Sequence, residues 1–172
     1  SSGKTTSTIK VAEYLRTQGF ECVPFHVDHY FFNLEDHPRD EFGDYDYETP
    51  QAIHIPLVNE HLRKLLAGEE IKMPKFDYPR GVRVDDVRPF RLNEGDILLI
   101  DCLHGLYRNL TAAVPARSKF RIYIESMNVL RNSNGEYTKW ADARMLKRMI
   151  RDSQHRGYGA EHTLAHWPYV RK

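Results

Sequence analysis

The hexapeptide Ser1-Ser2-Gly3-Lys4-Thr5-Thr6 constrains this chain more than any other stretch. It matches the closing half of the pattern G-x-x-x-x-G-K-[ST], a loop whose backbone N–H groups turn inward around phosphate oxygens. In such a loop the lysine reaches the outer phosphates and the next hydroxyl holds Mg2+. Those roles fall to Lys4 and Thr5, and Ser1, Ser2, Gly3 and Thr6 complete the cradle. Ser7 to Gln18 follow with helical spacing, so a positive helix end would face the anion. The first glycine of the pattern is not among the 172 residues, and a polar terminus can look the same. The rest of the chain has to decide.

At this length the prior is one domain with a sizeable core. With 25 basic and 24 acidic residues, no global charge argues for a nucleic acid or anionic membrane partner. Cys22 and Cys102 are far apart and have no metal-type spacing, so reduced thiols in a cytoplasmic protein are expected. No apolar run reaches membrane-spanning length and no leader pattern opens the chain. The nine histidines show no paired-ligand pattern and predict no zinc site. Both ends read as cut, with no strand before the loop and Trp167–Lys172 completing no element. The expected organisation is a single domain over 1–172, part of a longer chain, without its first strand and C-terminal elements.

Apolar spacing at Ile9, Ala12 and Leu15 predicts a helix that Gly19 stops. Glu21–Val27 has strand length and runs into Asp28. Open α/β sheets bind ligands just beyond the carboxyl ends of their strands, which places Asp28 to act; a turn or cap aspartate is the plainer alternative. Residues 33–49 read as a long acidic and aromatic loop, whose carboxylates suit sugar hydroxyls better than a triphosphate. Thr49 as cap and Pro50 at the first position predict a helix to Gly68, with His54 and His61 as surface or satisfied residues. Ile71–Leu92 reads as a β-hairpin turning at Pro79-Arg80-Gly81, either an ordinary polar hairpin or a flap over a substrate.

Ile97-Leu98-Leu99-Ile100 is the clearest candidate for a buried parallel strand, and it closes on Asp101. A carboxylate in that position near a phosphate loop can hold Mg2+ directly or through water. Gly3-Lys4-Thr5, Asp28 and Asp101 thus converge on one sheet edge, which favours the phosphate-loop reading. Phe120–Glu125 is expected to be a further strand, and Ser126–Tyr137 an irregular stretch with turn signals at Asn132–Gly135. Trp140–His155 should be a helix with Arg144, Lys147, Arg148 and Arg151 on one face, and Arg156-Gly157 extends the basic cluster. A solvated charged face is the usual reading of such a row. Beside a nucleotide, arginines neutralise charge developing in phosphoryl transfer.

In order and spacing, these pieces resemble the uridine kinase and phosphoribulokinase group of P-loop kinases over nearly the whole chain. They are S-S-G-K-T-T, V-D-H-Y-F at 27–31, Y-D-Y-E-T-P-Q-A-I at 45–53 and P-K-F-D-Y at 74–78. L-L-I-D-C-L-H-G-L at 98–106, K-F-R-I-Y-I at 119–124 and R-x-x-K-R-x-x-R-D at 144–152 complete the set. The chain looks most like the uridine-kinase-like module found in some bacterial proteins behind regions related to threonyl-tRNA synthetase.

The resemblance implies an α/β P-loop fold: a mostly parallel sheet flanked by helices, a hairpin flap and a basic lid helix. It implies Mg2+-dependent transfer of the γ-phosphate of ATP or GTP to a nucleoside hydroxyl, without nucleic acid or membrane partners and with room for a homo-oligomer. On matching positions, Asp28 looks like the general base and Asp46 like the carboxylate gripping the ribose diol. Tyr30, Phe76, Tyr78 and Arg83 look like substrate contacts. Arg144, Arg148 and Arg151 look like the catalytic lid beside Lys4, and Thr5 and Asp101 like metal ligands.

Departures keep other readings open. Gly81 stands where uridine kinases carry a base-reading histidine, and Asp101-Cys102 replaces glutamate then glycine. Asp36-His37-Pro38 imitates the family's ribose motif, so Asp36 competes with Asp46, which the Y-D-Y-E-T-P context favours. A nucleotide-binding regulatory module of a larger protein is the alternative. A sugar-phosphate kinase resembling phosphoribulokinase, using Arg80 and Arg83, is the third reading.

Overall fold

The computed structural model describes residues 3–125, 131–155 and 159–170. They fall into two compact units, residues 5–123 and residues 1–4 with 124–172. Helix α1 (Lys4–Thr17) ends at Gly19, whose φ of +85° takes the left-handed turn. There Phe20 N–H donates to the Leu15 carbonyl at 3.1 Å and Gly19 N–H to that of Arg16 at 3.0 Å, a glycine cap that satisfies two orphan carbonyls. Of the apolar spacing that announces this helix only Ala12 is buried, and Ile9 and Tyr14 are exposed.

Strand β1 (Cys22–Phe25) leads into a 3-10 turn, Val27–Tyr30. Helix α2 (Ile55–Leu66) follows the acidic loop. It starts later than Thr49-Pro50 predicts, because those residues open a separate 3-10 turn, Pro50–Ala52. Ile53 then goes extended to bridge Phe31, and that pairing interrupts the helix before it starts. His54 caps α2 instead, its Nδ1 accepting from Leu57 N–H at 3.1 Å. The face Val58, His61, Leu62 and Leu65 closes the core against Phe25, Tyr30, Ile71, Met73 and Phe76.

Strands β2 (Ile71–Asp77) and β3 (Val82–Phe90) form the expected hairpin. Its register shifts between Met73 and Lys75, where Pro74 has no N–H to give the ladder, and Asp86 opposite takes a left-handed φ of 57°. Strand β4 (Ile97–Ile100) pairs in parallel with β1, Cys22 opposite Ile97 and Phe25 opposite Ile100. Its four residues are half-buried rather than fully covered, since among the described residues β1 is its one strand neighbour. Phe120–Glu125 departs from expectation more sharply. It is not a strand, and Phe120 is 89% exposed. Alternating apolar residues favour a strand only when a partner takes up the backbone hydrogen bonds, and no described strand pairs here.

In the other unit, a turn at Asn132–Gly135 is closed by the Arg131–Tyr137 bridge. Helix α3 (Trp140–His155) occupies its expected span. Helix α4 (Ala160–Val170) was not expected: its buried Trp167 and Thr163 lie four apart on one face, and Pro168 falls within its last turn. Residues 126–130 and the Arg156-Gly157 extension of the basic cluster lie outside the described residues. No helix of the described residues is long and apolar enough to cross a membrane.

Candidate functional site

The parallel register of β1 and β4 sets Phe25 beside Ile100, so both strands deliver their next residues to the same carboxyl edge. Asp101 follows β4 directly. Asp28 follows β1 on the 3-10 turn, where Val27 and Tyr30 are buried and Asp28 is exposed. Burial of the first and last residues of the turn leaves Asp28 on its outward side. Thr5, in the first turn of α1, donates from Oγ1 to Asp101 Oδ2 at 2.5 Å. A hydroxyl and a carboxylate from positions 96 residues apart thus meet at that edge.

These two oxygens are the hard donors that Mg2+ takes, with open positions left for water and phosphate oxygen, so the pair fits the ion. Gly3 enters α1 with φ +85°, and a Cβ built there meets nothing within 4 Å. Space is therefore not what demands glycine; the left-handed backbone is. Ser1 and Ser2 lie outside the described residues. Lys4 and Thr6 are the first and third residues of α1.

A second cluster gathers the acceptor candidates. Asp46 is buried, its N–H donating to the Pro38 carbonyl at 2.8 Å and its Oδ1 accepting from Glu48 N–H at 2.8 Å. Asp36 is exposed. Tyr47, the chain neighbour of Asp46, belongs to an aromatic wall: Tyr47 lies 6.3 Å from Tyr78 between ring centroids, Phe76 5.0 Å from Tyr78 and Phe31 5.7 Å from Phe76. His37 backs it, 4.4 Å from Tyr47. Burial pushes the His37 pKa down, opposed by its hydrogen bond to the Phe32 carbonyl and by Asp46.

Tyr30 does not join this wall. Its ring is fully buried and stacks on Phe25 at 5.3 Å, and its hydroxyl is taken up by His61 and Met73. The D-H-Y-F motif suggests a row of contacts, but a 3-10 turn sends the third residue to the core. Arg83 is also committed, its Nε donating to Asp85 at 2.7 Å and its Nη1 to the Phe31 carbonyl at 3.4 Å.

Gly81 holds the hairpin turn against the segment after β1. Leu34 N–H donates to its carbonyl at 2.9 Å, and at φ +66° an added Cβ would sit 2.0 Å from Leu34 Cδ1. Arg83 N–H donates to Asn33 Oδ1 at 2.9 Å and Phe76 N–H to His29 Nδ1 at 3.5 Å. The hairpin is thereby tied to residues 29–34 at both its turn and its middle.

Within the unit that holds α3, Arg148 Nε lies 3.4 Å from Asp152 Oδ2, and Arg151 donates to Asp152 Oδ1 at 2.9 and 3.0 Å. Asp152 is buried and holds two of the three lid candidates; Arg144 is half-buried on the same helix. Sequence reasoning gave no role to Asp152, which closes the R-x-x-K-R-x-x-R-D motif, although an acid four residues after an arginine is a helix-pair signal. It also passed over Leu34 and left His61 as merely satisfied, and no local pattern marks either.

The model of the phosphoribulokinase / uridine kinase family matches residues 1–172. A protein of Deinococcus deserti named uridine kinase is 26% identical over 171 residues, which are 99% of this chain and 73% of that one. A uridine kinase of Halobacterium salinarum is 28% identical over 159 residues, or 91% of this chain, and the match spans 60% of that relative's length. Among solved structures, a Silicibacter protein assigned as a fructose transport system kinase superposes with a TM-score of 0.57 at 16% identity. That likeness covers 95% of this chain and 72% of the other, and it is one of fold.

Proposed function

Because the chain belongs to the phosphoribulokinase / uridine kinase family, we propose that it transfers the γ-phosphoryl group of ATP or GTP to a hydroxyl of a nucleoside of the uridine or cytidine kind. The observation that carries this reading is the carboxyl edge shared by β1 and β4. Asp28 and the Thr5–Asp101 pair both emerge there.

In this reading Asp28 takes the proton of the acceptor hydroxyl as its oxygen bonds to the γ-phosphorus. The bond from that phosphorus to the β,γ-bridging oxygen breaks, and the nucleoside diphosphate leaves. Thr5 and Asp101 would hold Mg2+, which would offset the negative charge of the nucleotide phosphates. Gly3 and Lys4 cradle the phosphates, and Arg144, Arg148 and Arg151 are assigned to the lid. Asp46 grips the ribose diol and Tyr78 walls the base, with the buried ring of Phe76 backing Tyr78 from the core. Catalysis of this type is mostly positioning and charge neutralisation, which is what these residue types supply. The reading treats residues 1–172 as one kinase domain of a cytoplasmic protein.

A second reading is a nucleotide-binding regulatory module of a larger protein. It draws on Gly81, because the hairpin turn offers a backbone against Leu34 and no side chain to read a base. The sugar-phosphate alternative draws less support, since Arg83 is already engaged by Asp85 and the Phe31 carbonyl.

The test is incubation of the full chain with Mg·ATP and a panel of nucleosides and sugar phosphates, with phosphorylated acceptors detected by mass spectrometry. One phosphorylated nucleoside, lost in Asp28→Asn, is the expected result. Tight ATP binding with no acceptor modified would select the regulatory reading instead.

A further inference from the structure

The 3-10 turn that carries Asp28 is only four residues long, Val27–Tyr30. His29 N–H donates to the His26 carbonyl at 3.3 Å. Contacts from elsewhere in the core add to the turn's own backbone bonds. His54 N–H donates to the Tyr30 carbonyl at 2.8 Å, and the Tyr30 hydroxyl lies 2.8 Å from His61 Nδ1 on α2 and 3.3 Å from Met73 Sδ on β2. The Tyr30 and His61 rings meet edge to face at 5.5 Å. Both residues are buried, so neither can exchange its partner for water.

Two proton arrangements join these groups. A thioether sulfur only accepts, and a tyrosine hydroxyl has one proton to give. If that proton goes to Met73, the hydroxyl oxygen accepts from His61, which then carries its hydrogen on Nδ1. If the imidazole carries its hydrogen on Nε2, the hydroxyl donates to Nδ1, a stronger acceptor than the thioether, and the Tyr30–His61 bond is kept. Burial acts the same way on both partners, pushing the Tyr30 pKa up and the His61 pKa down, so that hydroxyl and imidazole both stay uncharged. In either arrangement the Tyr30 hydroxyl, between His61 Nδ1 and Met73 Sδ, joins α2, the turn and β2 through one side chain, two residues from Asp28.

We propose that Tyr30 and His61 are positioning residues: their buried pair fixes the rotation of the Val27–Tyr30 turn and so the direction in which Asp28 presents its carboxylate. The inference rests on the reading of Asp28 as the proton acceptor. A rotation of a four-residue turn about its buried ends moves the outward residue most, and proton transfer is sensitive to shifts well under 1 Å. Nucleotide binding, carried by a different element, has no such dependence.

The test is a set of initial rates on the full chain with Mg·ATP and uridine, or whichever panel member the wild type phosphorylates, well below the melting temperature of every variant. Tyr30→Phe keeps the ring and deletes the hydroxyl, and His61→Leu deletes its imidazole partner. Each should lower kcat roughly tenfold with the KM for ATP unchanged within about twofold. His61→Asn places an amide that can donate or accept near the position of Nδ1 and should restore most of kcat. The double variant Tyr30→Phe/His61→Leu should be no slower than either single one, as coupled residues require. Wild-type kcat in both single variants, or losses that multiply in the double variant, would overturn the positioning role. Asp28→Asn separates the two layers. If it retains wild-type turnover, the reading of Asp28 falls and this inference with it. If it is inactive while Tyr30→Phe and His61→Leu are not slowed, only the positioning role falls. Absence of transfer to every panel member overturns both.

Discussion

Thr5 Oγ1 donates to Asp101 Oδ2 at 2.5 Å, linking the first turn of α1 to the residue that closes β4. A hydroxyl and a carboxylate this close can act as one bidentate oxygen site, and the hydrogen bond holds the pair in place when no ion is bound. Removing either oxygen should weaken the metal more than the nucleotide base. Asp101→Asn and Thr5→Ala are each expected to raise the Mg2+ concentration for half-maximal ATP binding by about tenfold or more. Calorimetric titration of ATP at several Mg2+ concentrations checks this, and an unchanged Mg2+ dependence would remove both residues from the metal site.

Asp46 and Asp36 can be separated directly. Asp46 is buried beside the aromatic wall and Asp36 is exposed. Asp46→Asn should raise the KM for the acceptor by roughly tenfold or more, because a site built to receive hydroxyl donors is left with the wrong partner. Asp36→Asn should leave it within about twofold. Steady-state kinetics on the phosphorylated acceptor would show the reverse order if Asp36 were the ribose ligand.

Gly81 lacks room for any side chain. Its left-handed φ and the 2.0 Å approach of Leu34 Cδ1 both act against Gly81→Ala. The backbone term alone is about 1–2 kcal/mol, and displacing Leu34 adds to it. A loss on the order of 3 kcal/mol in urea unfolding is expected, of which Leu34→Ala in the same chain should recover the steric part. Full stability in Gly81→Ala would mean that the turn relaxes at little cost.

His29, His37 and His61 give the fold a one-sided pH dependence. Burial leads in each case to a pKa below the ordinary 6.5. The unfolded chain therefore binds protons that the folded chain does not. Their contribution is fully present above about pH 6.5 and is lost as pH falls from there through the depressed folded values. Urea midpoints should drop between pH 7.5 and 5.5, and His61→Asn should flatten that drop. A midpoint independent of pH across this range would contradict the burial of these rings.

Asp152 neutralises Arg148 and Arg151 from a buried position. Asp152→Ala leaves those guanidinium groups without that partner, and breaking such a pair costs several kcal/mol when both members are buried. Arg151 is a third exposed, so a smaller loss, about 2 kcal/mol, is expected. Thermal melting of the variant measures it, and an unchanged midpoint would mean the pair is dispensable.

Much of the frame was legible before any coordinates. Gly19 stops α1, the run into Asp28 is β1, the hairpin turns near Gly81, and Ile97–Ile100 closes on Asp101. These are local properties: a left-handed glycine, an apolar run of strand length, a turn tripeptide. The start of α2 and the state of Phe120–Glu125 were not legible, because each depends on a partner elsewhere. Ile53 leaves the helix to pair with Phe31, and Phe120–Glu125 has no described strand to pair with.

Among the candidate site residues the same division holds. Sequence alone singled out the candidates, Gly3-Lys4-Thr5, Asp28 and Asp101 by type and spacing and Asp46 by its resemblance to the family motif. Tertiary structure decided which of them meet and which turn away. Thr5 reaches Asp101 because α1 starts beside the point where β4 ends, and Tyr30 leaves the acceptor wall because its 3-10 turn buries it against His61. Residue type is written in the local chain, whereas contact across 96 residues and the burial of one ring arise only when the core closes.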